Sequence, residues 1–253
     1  IRMEQIHRRV REGLVADIGN SMSPDIERVI ALRPDGILLS PFENGSYGRI
    51  EKLDIPLIEC ADYMEDSALG RAEWMRFYGM LAGKGREADS LFTEVERTYR
   101  DLHRMADRAM EKPTVLAELK QGSAWYVPGG RSVTGQMYAD AGAHYAFGAI
   151  AENGSVPLSF ETVFARARHA GYWLIKYNQA HDKTYAELER DYRPYAGFDA
   201  FRNRKVYGCN TAKVSYYEET PFHPERLLKD LIAVFHPDLL PDYETRYFTP
   251  LAE

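Results

Sequence analysis

The sequence predicts an α/β protein of two lobes joined by a long rigid helix, and three observations carry that prediction. Residues 87–111 place apolar side chains at Ala88, Leu91, Phe92, Val95, Tyr99, Leu102, Met105, Ala106 and Ala109. These steps of three and four draw one apolar stripe along a helix. Strand-and-helix units flank that helix on both sides. The two flanking blocks also echo each other. Pro24 to Val29 followed by Pro34 to Leu38 stands before the helix, and Leu158 to Val163 followed by Ala170 to Leu174 stands after it. Each is a capped helix with an acid in its first turn, then a breaker and a buried strand. The expected division is 1–66 for the amino-terminal lobe, 67–112 for the helical link and 113–253 for the carboxy-terminal lobe.

Taken in order, Met3 to Arg11 predicts a short amphipathic helix ended by Gly13, and Leu14 to Ile18 an extended segment or strand. Ser23 is placed to cap the next helix with Pro24 at its first position, while Asp25 and Glu27 sit where the helix dipole favours acids. Gly36 to Ser40 predicts a compact buried strand, Arg49 to Lys52 a short helix, and Ile55 to Cys60 a second strand parallel to the first. Ala68 to Leu81 is helical in pattern, and Gly83-Lys84-Gly85 interrupts it before the long helix. From Glu87 to Met110 that helix spans about 36 Å at about 1.5 Å per residue. It holds no proline or glycine, so it resists bending and predicts a small lobe closure rather than a wide swing.

After Pro113, strands are expected at Thr114 to Leu119, Tyr172 to Lys176 and Lys205 to Cys209. Helices are expected over Gln136 to Ala141, Phe160 to His169, Tyr185 to Asp191 and Glu225 to Val234, with Ser132 and Ser159 as caps for the first two. Glu152 to Pro157 is polar and turn-rich, and Asn210 to Phe222 is a long loop.

The chain has 253 residues, 45% of them hydrophobic, and a formal charge of -6. With no long basic tract, nucleic acid is not expected as a partner. No apolar run is long enough to span a membrane, and none of the residues given reads as a signal segment. Cys60 and Cys209 end apolar runs without metal spacing and read as buried thiols. Gly129-Gly130 and Gly135 miss the dinucleotide and phosphate-loop fingerprints, and neither a GxSxG elbow nor an HExxH helix occurs. His236-Pro237 reads as a helix terminus. Glu118 and Asp140 read as loop or surface acids. No catalytic constellation and no resident cofactor or metal site emerges.

What remains is a set of segments at the same ends of parallel strands, where open α/β sheets bind ligands. They offer Phe42, Glu43, Asn44, Ser46 and Tyr47, then Trp125 and Tyr126, Tyr177 and Asn178, and Tyr216 and Tyr217. Aromatic walls with a few hydrogen-bonding groups suit a large planar or macrocyclic ligand. Lys120, Arg131, Lys176 and Lys213 read first as solvated loop charges, and any of them is a candidate to answer an anionic ligand.

The pieces Asp17-Ile18-Gly19, Pro24 to Val29, Ala31 to Asp35, Gly142, Tyr172 to Ile175, Ala200-Phe201 with Val206-Tyr207, and Pro224 to Leu231 followed by Phe235-His236-Pro237 occur in a particular order around the long helix. In that order the chain resembles the helical-backbone (class III) periplasmic substrate-binding proteins of ABC importers for iron chelates, haem and vitamin B12, and its ending resembles iron-chelate binders of Bacteroidetes-type bacteria. The resemblance implies two Rossmann-like lobes joined by a rigid helix. It also implies a non-catalytic carrier, expected to be a monomer, that hands a ferric siderophore or haem to an inner-membrane permease dimer. A corrinoid is the alternative cargo, and an enzyme of the nitrogenase-cofactor-like two-lobed type is the alternative of a different class. Relatives begin with a signal segment, a lipid-bearing or free mature terminus and the first strands of the amino-terminal lobe, so the resemblance implies a periplasmic location and a front missing from this chain. In the vitamin B12 binder, glutamates at the matching helix starts meet the permease, which carries a docking role over to Glu27 and Glu161.

Overall fold

Side chains that cap helices set much of the local structure, which a computed structural model describes for residues 3–20, 23–41 and 47–253. The chain divides into two compact units, Ile1–Met64 and Glu65–Glu253.

In the first unit, α1 (Glu4–Arg11) buries none of its side chains. Strands β1 (Gly19–Asn20) and β2 (Ser23–Pro24) pair antiparallel. Helix α2 (Ile26–Leu32) is capped by Asp25, whose carboxylate accepts the Arg28 N–H at 3.1 Å. This corrects the expected Ser23 cap: Ser23 and Pro24 are held in β2, and the next residue able to accept a backbone N–H takes the position. Leu14 to Ile18 forms no strand. Strands β3 (Ile37–Leu39) and β4 (Leu57–Glu59) pair in parallel, Leu38 opposite Ile58, with a 3-10 turn at Ile50–Lys52 between them. The expected buried strand is only half-buried. Alternation along β3 turns Leu38 outward, 50% exposed, and in a two-stranded sheet nothing covers that face among the described residues.

The second unit opens with α3 (Ala68–Leu81), capped by Ser67, which accepts the Gly70 N–H at 3.0 Å. Gly83, at φ +67, turns the chain into α4 (Gly85–Asp107). A Cβ on Gly79 would lie 2.2 Å from the Ala88 Cβ, so only glycine lets the two helices approach this closely. Ala88, Phe92, Val95, Tyr99, Leu102 and Ala106 bury the predicted stripe of α4, while Leu91 faces solvent.

The remaining elements are β5 (Thr114–Ala117), β6 (Lys120–Gln121), β7 (Ala124–Pro128), α5 (Val133–Asp140), β8 (His144–Tyr145), β9 (Ser155–Leu158), α6 (Phe160–Ala167), β10 (Tyr172–Tyr177), α7 (Tyr185–Asp191), α8 (Asp199–Arg202), β11 (Val206–Asn210), α9 (Tyr216–Glu219), α10 (Pro224–Phe235) and β12 (Thr249–Pro250). A five-stranded sheet runs in the order β12-β11-β10-β5-β8, parallel except for the antiparallel edge strand β12. A second, antiparallel sheet runs β6-β7-β9. Strand β9 occupies residues expected as turn. It is an edge strand, where Pro157 is tolerated, and it leans Val156 and Leu158 on the core.

The core gathers on the five-stranded sheet, with Trp125, Trp173, Phe147 and Phe198 almost wholly enclosed. Trp125 and Trp173 lie 5.7 Å apart, with the Tyr195 and Phe198 rings edge-on to Trp125. Each such aromatic removes about 150–250 Å² from water, so this cluster dominates the burial. Cys60 and Cys209 are both buried free thiols.

Candidate functional site

Strand β10 carries Lys176 to its carboxyl end, and there a cavity of about 280 Å³ opens. Tyr216, Tyr217, Thr220 and Pro221, on α9 and the turn after it, make one wall. Ala68 and Arg71 from α3, Val133, Thr134 and Met137 from α5, and Pro224 and Leu227 from α10 complete the lining. The position follows the rule for open α/β sheets, in which ligands lie beyond the carboxyl ends of parallel strands. A larger cavity, about 580 Å³, runs along α4 and α10 away from those strand ends.

The electrostatic centre of the smaller cavity is Lys176. Its ammonium forms an ion pair with the Glu118 carboxylate, with side chains only 16% and 18% exposed. Burial pulls the ammonium pKa down, but the Glu118 carboxylate with the Tyr216 and Tyr138 phenols outweighs it, and Lys176 stands well above its ordinary value. It therefore stays cationic. Its Nζ also lies 5.7 Å from the centre of the Tyr216 ring. Burial pushes the Tyr216 phenol up to about 12, against the pull of Lys176, so that hydroxyl remains a neutral donor. Glu118 follows β5 with φ +66, a backbone region uncommon outside glycine. Its carbonyl accepts the Trp173 indole N–H at 2.8 Å and its N–H donates to Leu174 O at 2.8 Å, which fix the turn that aims its side chain. Glu118 thus lies in a loop, as one of its expected readings has it, but it is not a surface acid. Asp140 is partly buried as well, accepting the Tyr99 hydroxyl at 2.6 Å.

Of the residues expected at the site, the structure brings together Tyr216 and Tyr217, with Lys176 beside them. Phe42, Glu43, Asn44 and Ser46 lie outside the described residues. Tyr47 is in the first unit, where its hydroxyl donates to Glu59 at 2.7 Å and is pushed up to about 12 by that carboxylate. Trp125 requires correction. It is fully enclosed, and its indole N–H donates to Ala117 O at 3.0 Å, so it packs the core and lines neither of the two cavities above. The reason is that Lys120 to Tyr126 is not a loop but the hairpin of β6 and β7, and alternation turns Trp125 inward and Tyr126 outward, 45% exposed. Tyr177 turns to the following loop, its hydroxyl accepting the Lys183 N–H at 3.0 Å. Asn178 donates to the Thr211 hydroxyl at 3.0 Å. Lys120 reaches Gly122 O, and Lys213 pairs with Asp182 at 2.7 Å.

Sequence reasoning missed Arg71, Thr134 and Met137 in the lining, and Glu118 behind it. Arg71 lies one turn past the Ser67 cap, and that short offset was the available sign that it stays near the start of α3. Glu27 and Glu161 occupy the second positions of α2 and α6, both exposed. Among the described residues, no group of three or more His, Cys, Asp or Glu side chains is placed to hold a metal ion. No helix among them is long and apolar enough to cross a membrane.

An uncharacterized lipoprotein of Methanocaldococcus jannaschii is 26% identical over 250 residues, which cover 97% of this chain and 58% of the relative. A second uncharacterized lipoprotein of that organism is 24% identical over 247 residues, covering 94% of this chain and 62% of the relative. The chain thus spans about three-fifths of the length of these curated relatives. Among solved structures, a periplasmic haem-binding protein from Pseudomonas aeruginosa superposes with a TM-score of 0.71 at 17% identity, covering 98% of this chain and 88% of that one. A possible iron-binding, periplasmic solute-binding protein from Staphylococcus epidermidis gives 0.68 at 17% identity, covering 86% and 82%. Both likenesses are likenesses of fold. The model of the periplasmic binding protein family matches residues 3–212, most of the chain, and with the two-unit α/β architecture it shows that the chain belongs to the periplasmic binding protein family, a class of solute binders rather than enzymes.

Proposed function

We propose that this chain is the solute-binding component of an ABC importer and that it captures an anionic iron chelate, a ferric siderophore or haem. The observation that carries the reading is the cavity at the end of β10, lined by Tyr216 and Tyr217 together with the basic residues Lys176 and Arg71. An aromatic wall offers area and π-faces to a planar or macrocyclic ligand, and Arg71 and Lys176, the latter shared with Glu118, supply positive charge for its carboxylates or catecholates. Tyr217, 62% exposed, is the wall tyrosine accessible to a ferric centre, whereas Tyr216 is held neutral by burial. The haem- and iron-binding descriptions of the structural neighbours support this cargo class.

A carrier needs no turnover, and the ligand rather than the protein brings the metal. Its partner is an inner-membrane permease dimer, met by Glu27 and Glu161, and the carrier acts as a monomer. The lipoprotein names of the curated relatives support a periplasmic, lipid-anchored placement. Residues 1–66, 67–112 and 113–253 then serve as first lobe, helical link and second lobe.

Isothermal titration with haem, cobalamin and several ferric siderophores tests the reading. Micromolar or tighter binding of one iron chelate, lost in Lys176→Met and Arg71→Met, is the expected result. Binding of cobalamin alone would move the cargo to corrinoids, and binding of none of the three classes would overturn the proposal.

A further inference from the structure

The tyrosine wall stands on α9, a helix of four residues, far too short to hold its shape unaided. Its support comes from residues 243–248. The carboxylate of Glu219, the last residue of α9, accepts two hydrogen bonds from one guanidinium, Arg246 Nε at 2.9 Å and Nη2 at 2.7 Å. It also accepts the Tyr247 hydroxyl at 2.9 Å, and the Arg226 guanidinium lies at 3.5 Å. Two-pronged bonding of this kind fixes direction as well as distance. The far end of the arrangement is equally fixed. Asp230, fully buried on α10, accepts the Tyr243 hydroxyl at 2.7 Å and the backbone N–H groups of Arg246, Tyr247 and Phe248. The Tyr216 ring then packs edge-on against Tyr247 at 5.7 Å and Phe248 at 6.3 Å.

We propose that Arg246 and Glu219 are positioning residues that hold the Tyr216–Tyr217 wall of the cavity, through a strap of residues 243–248 anchored on Asp230. Neither Arg246 nor Glu219 lines that cavity, so each acts on a ligand only through α9. The consequence for cargo rests on the chelate-binding reading; the consequence for α9 does not. With the clamp intact, the wall is preorganised and a bound ligand meets tyrosines already in place. Without it, α9 opens locally and the ligand leaves sooner.

Amide hydrogen exchange on the full, ligand-free chain tests the clamp directly. In Arg246→Met, the N–H groups of Glu219, Thr220, Phe222 and His223, which close the turns of this wall, should exchange about tenfold faster, while those of β10 stay protected. Arg246→Lys, which keeps the charge but loses the fork, should fall between. Stopped-flow release of whichever ferric chelate the wild type binds should be about tenfold faster in Arg246→Met, with little change in association. If Arg246→Met does not fold, Glu219→Gln keeps the shape and weakens the same bonds. Unchanged exchange across α9 in a folded variant overturns the proposal, as does faster exchange with unchanged chelate release. A wild type that binds no chelate refutes the cargo reading, and the exchange comparison then decides the clamp alone.

Discussion

Lys176 on β10 and Glu118 after β5 form an ion pair across 58 residues of sequence, at the base of the tyrosine-walled cavity. Two charges this enclosed are stabilising only together. Removing either partner leaves the other desolvated without its counter-charge, a change that costs about 3–5 kcal/mol where such pairs have been broken. Glu118→Gln and Lys176→Met should each lower the urea-unfolding free energy by about 3 kcal/mol, and the double variant should recover most of that loss. Additive losses in the double variant would show that the two side chains do not depend on each other.

Trp125→Phe removes the indole N–H from Ala117 O and some of the packing on Trp173, so stability should fall by about 1–3 kcal/mol. Chelate affinity should not change. A fall in affinity at full stability would return Trp125 to the ligand surface.

A pH dependence follows from α7. Its start is a capping box in which Thr184 accepts the Glu187 N–H at 3.1 Å and Glu187 accepts the Thr184 N–H at 3.1 Å. The His181 side chain beside it, together with that backbone bond, lowers the Glu187 carboxyl from 4.5 to about 2. The folded value lies below the unfolded one, so the unfolded chain binds the extra proton. This contribution is therefore full above pH 4.5 and is lost as pH falls towards 2. The stability difference between wild type and Glu187→Gln should shrink across that window in acid titrations followed by circular dichroism. A constant difference would show that the carboxylate charge is immaterial to the cap.

Much of the fold was legible because long elements repeat their signal. Six buried positions of α4 fall on one stripe, and α3, α7 and α10 likewise end close to where their periodicity ends. The two-residue strands β1, β2, β6, β8 and β12 are too short to show a period and Pro157 breaks the run of β9, whereas β3, β4 and β5, also short, stand out as apolar runs between breakers. The site was legible in part for a related reason. Alternation along β7 says that Trp125 and Tyr126 face opposite ways, but only the packing of β7 against Trp173 decides which of them is inside. Glu118 reads as a loop or surface acid in the sequence because its partner is remote, and nothing local marks Arg71 as a lining residue, since only the fold brings α3 and α9 to one cavity.

The last prediction concerns the permease. Glu27 and Glu161 each stand in the first turn of a helix, two residues after caps at Asp25 and Ser159. The ordinary account of an acid there is the helix dipole, worth about 0.3–1 kcal/mol at an exposed position. Both carboxylates are exposed, and among the described residues neither has an assigned ion pair, so both charges are presented to solvent. Under the proposed importer role, one such acid on each of two similar helix–strand units is offered as an anchor for an arginine of the permease. Glu27→Lys and Glu161→Lys should each weaken permease binding, and the double variant should do so more strongly, because both anchors are lost. Cargo affinity should be spared, and stability should drop by no more than about 1 kcal/mol per site. The decisive experiment sets carrier–permease affinity beside chelate titration for the three variants. An unchanged permease affinity in the double variant rules the docking role out, and a loss of folding or of cargo binding instead assigns both acids to their helices alone.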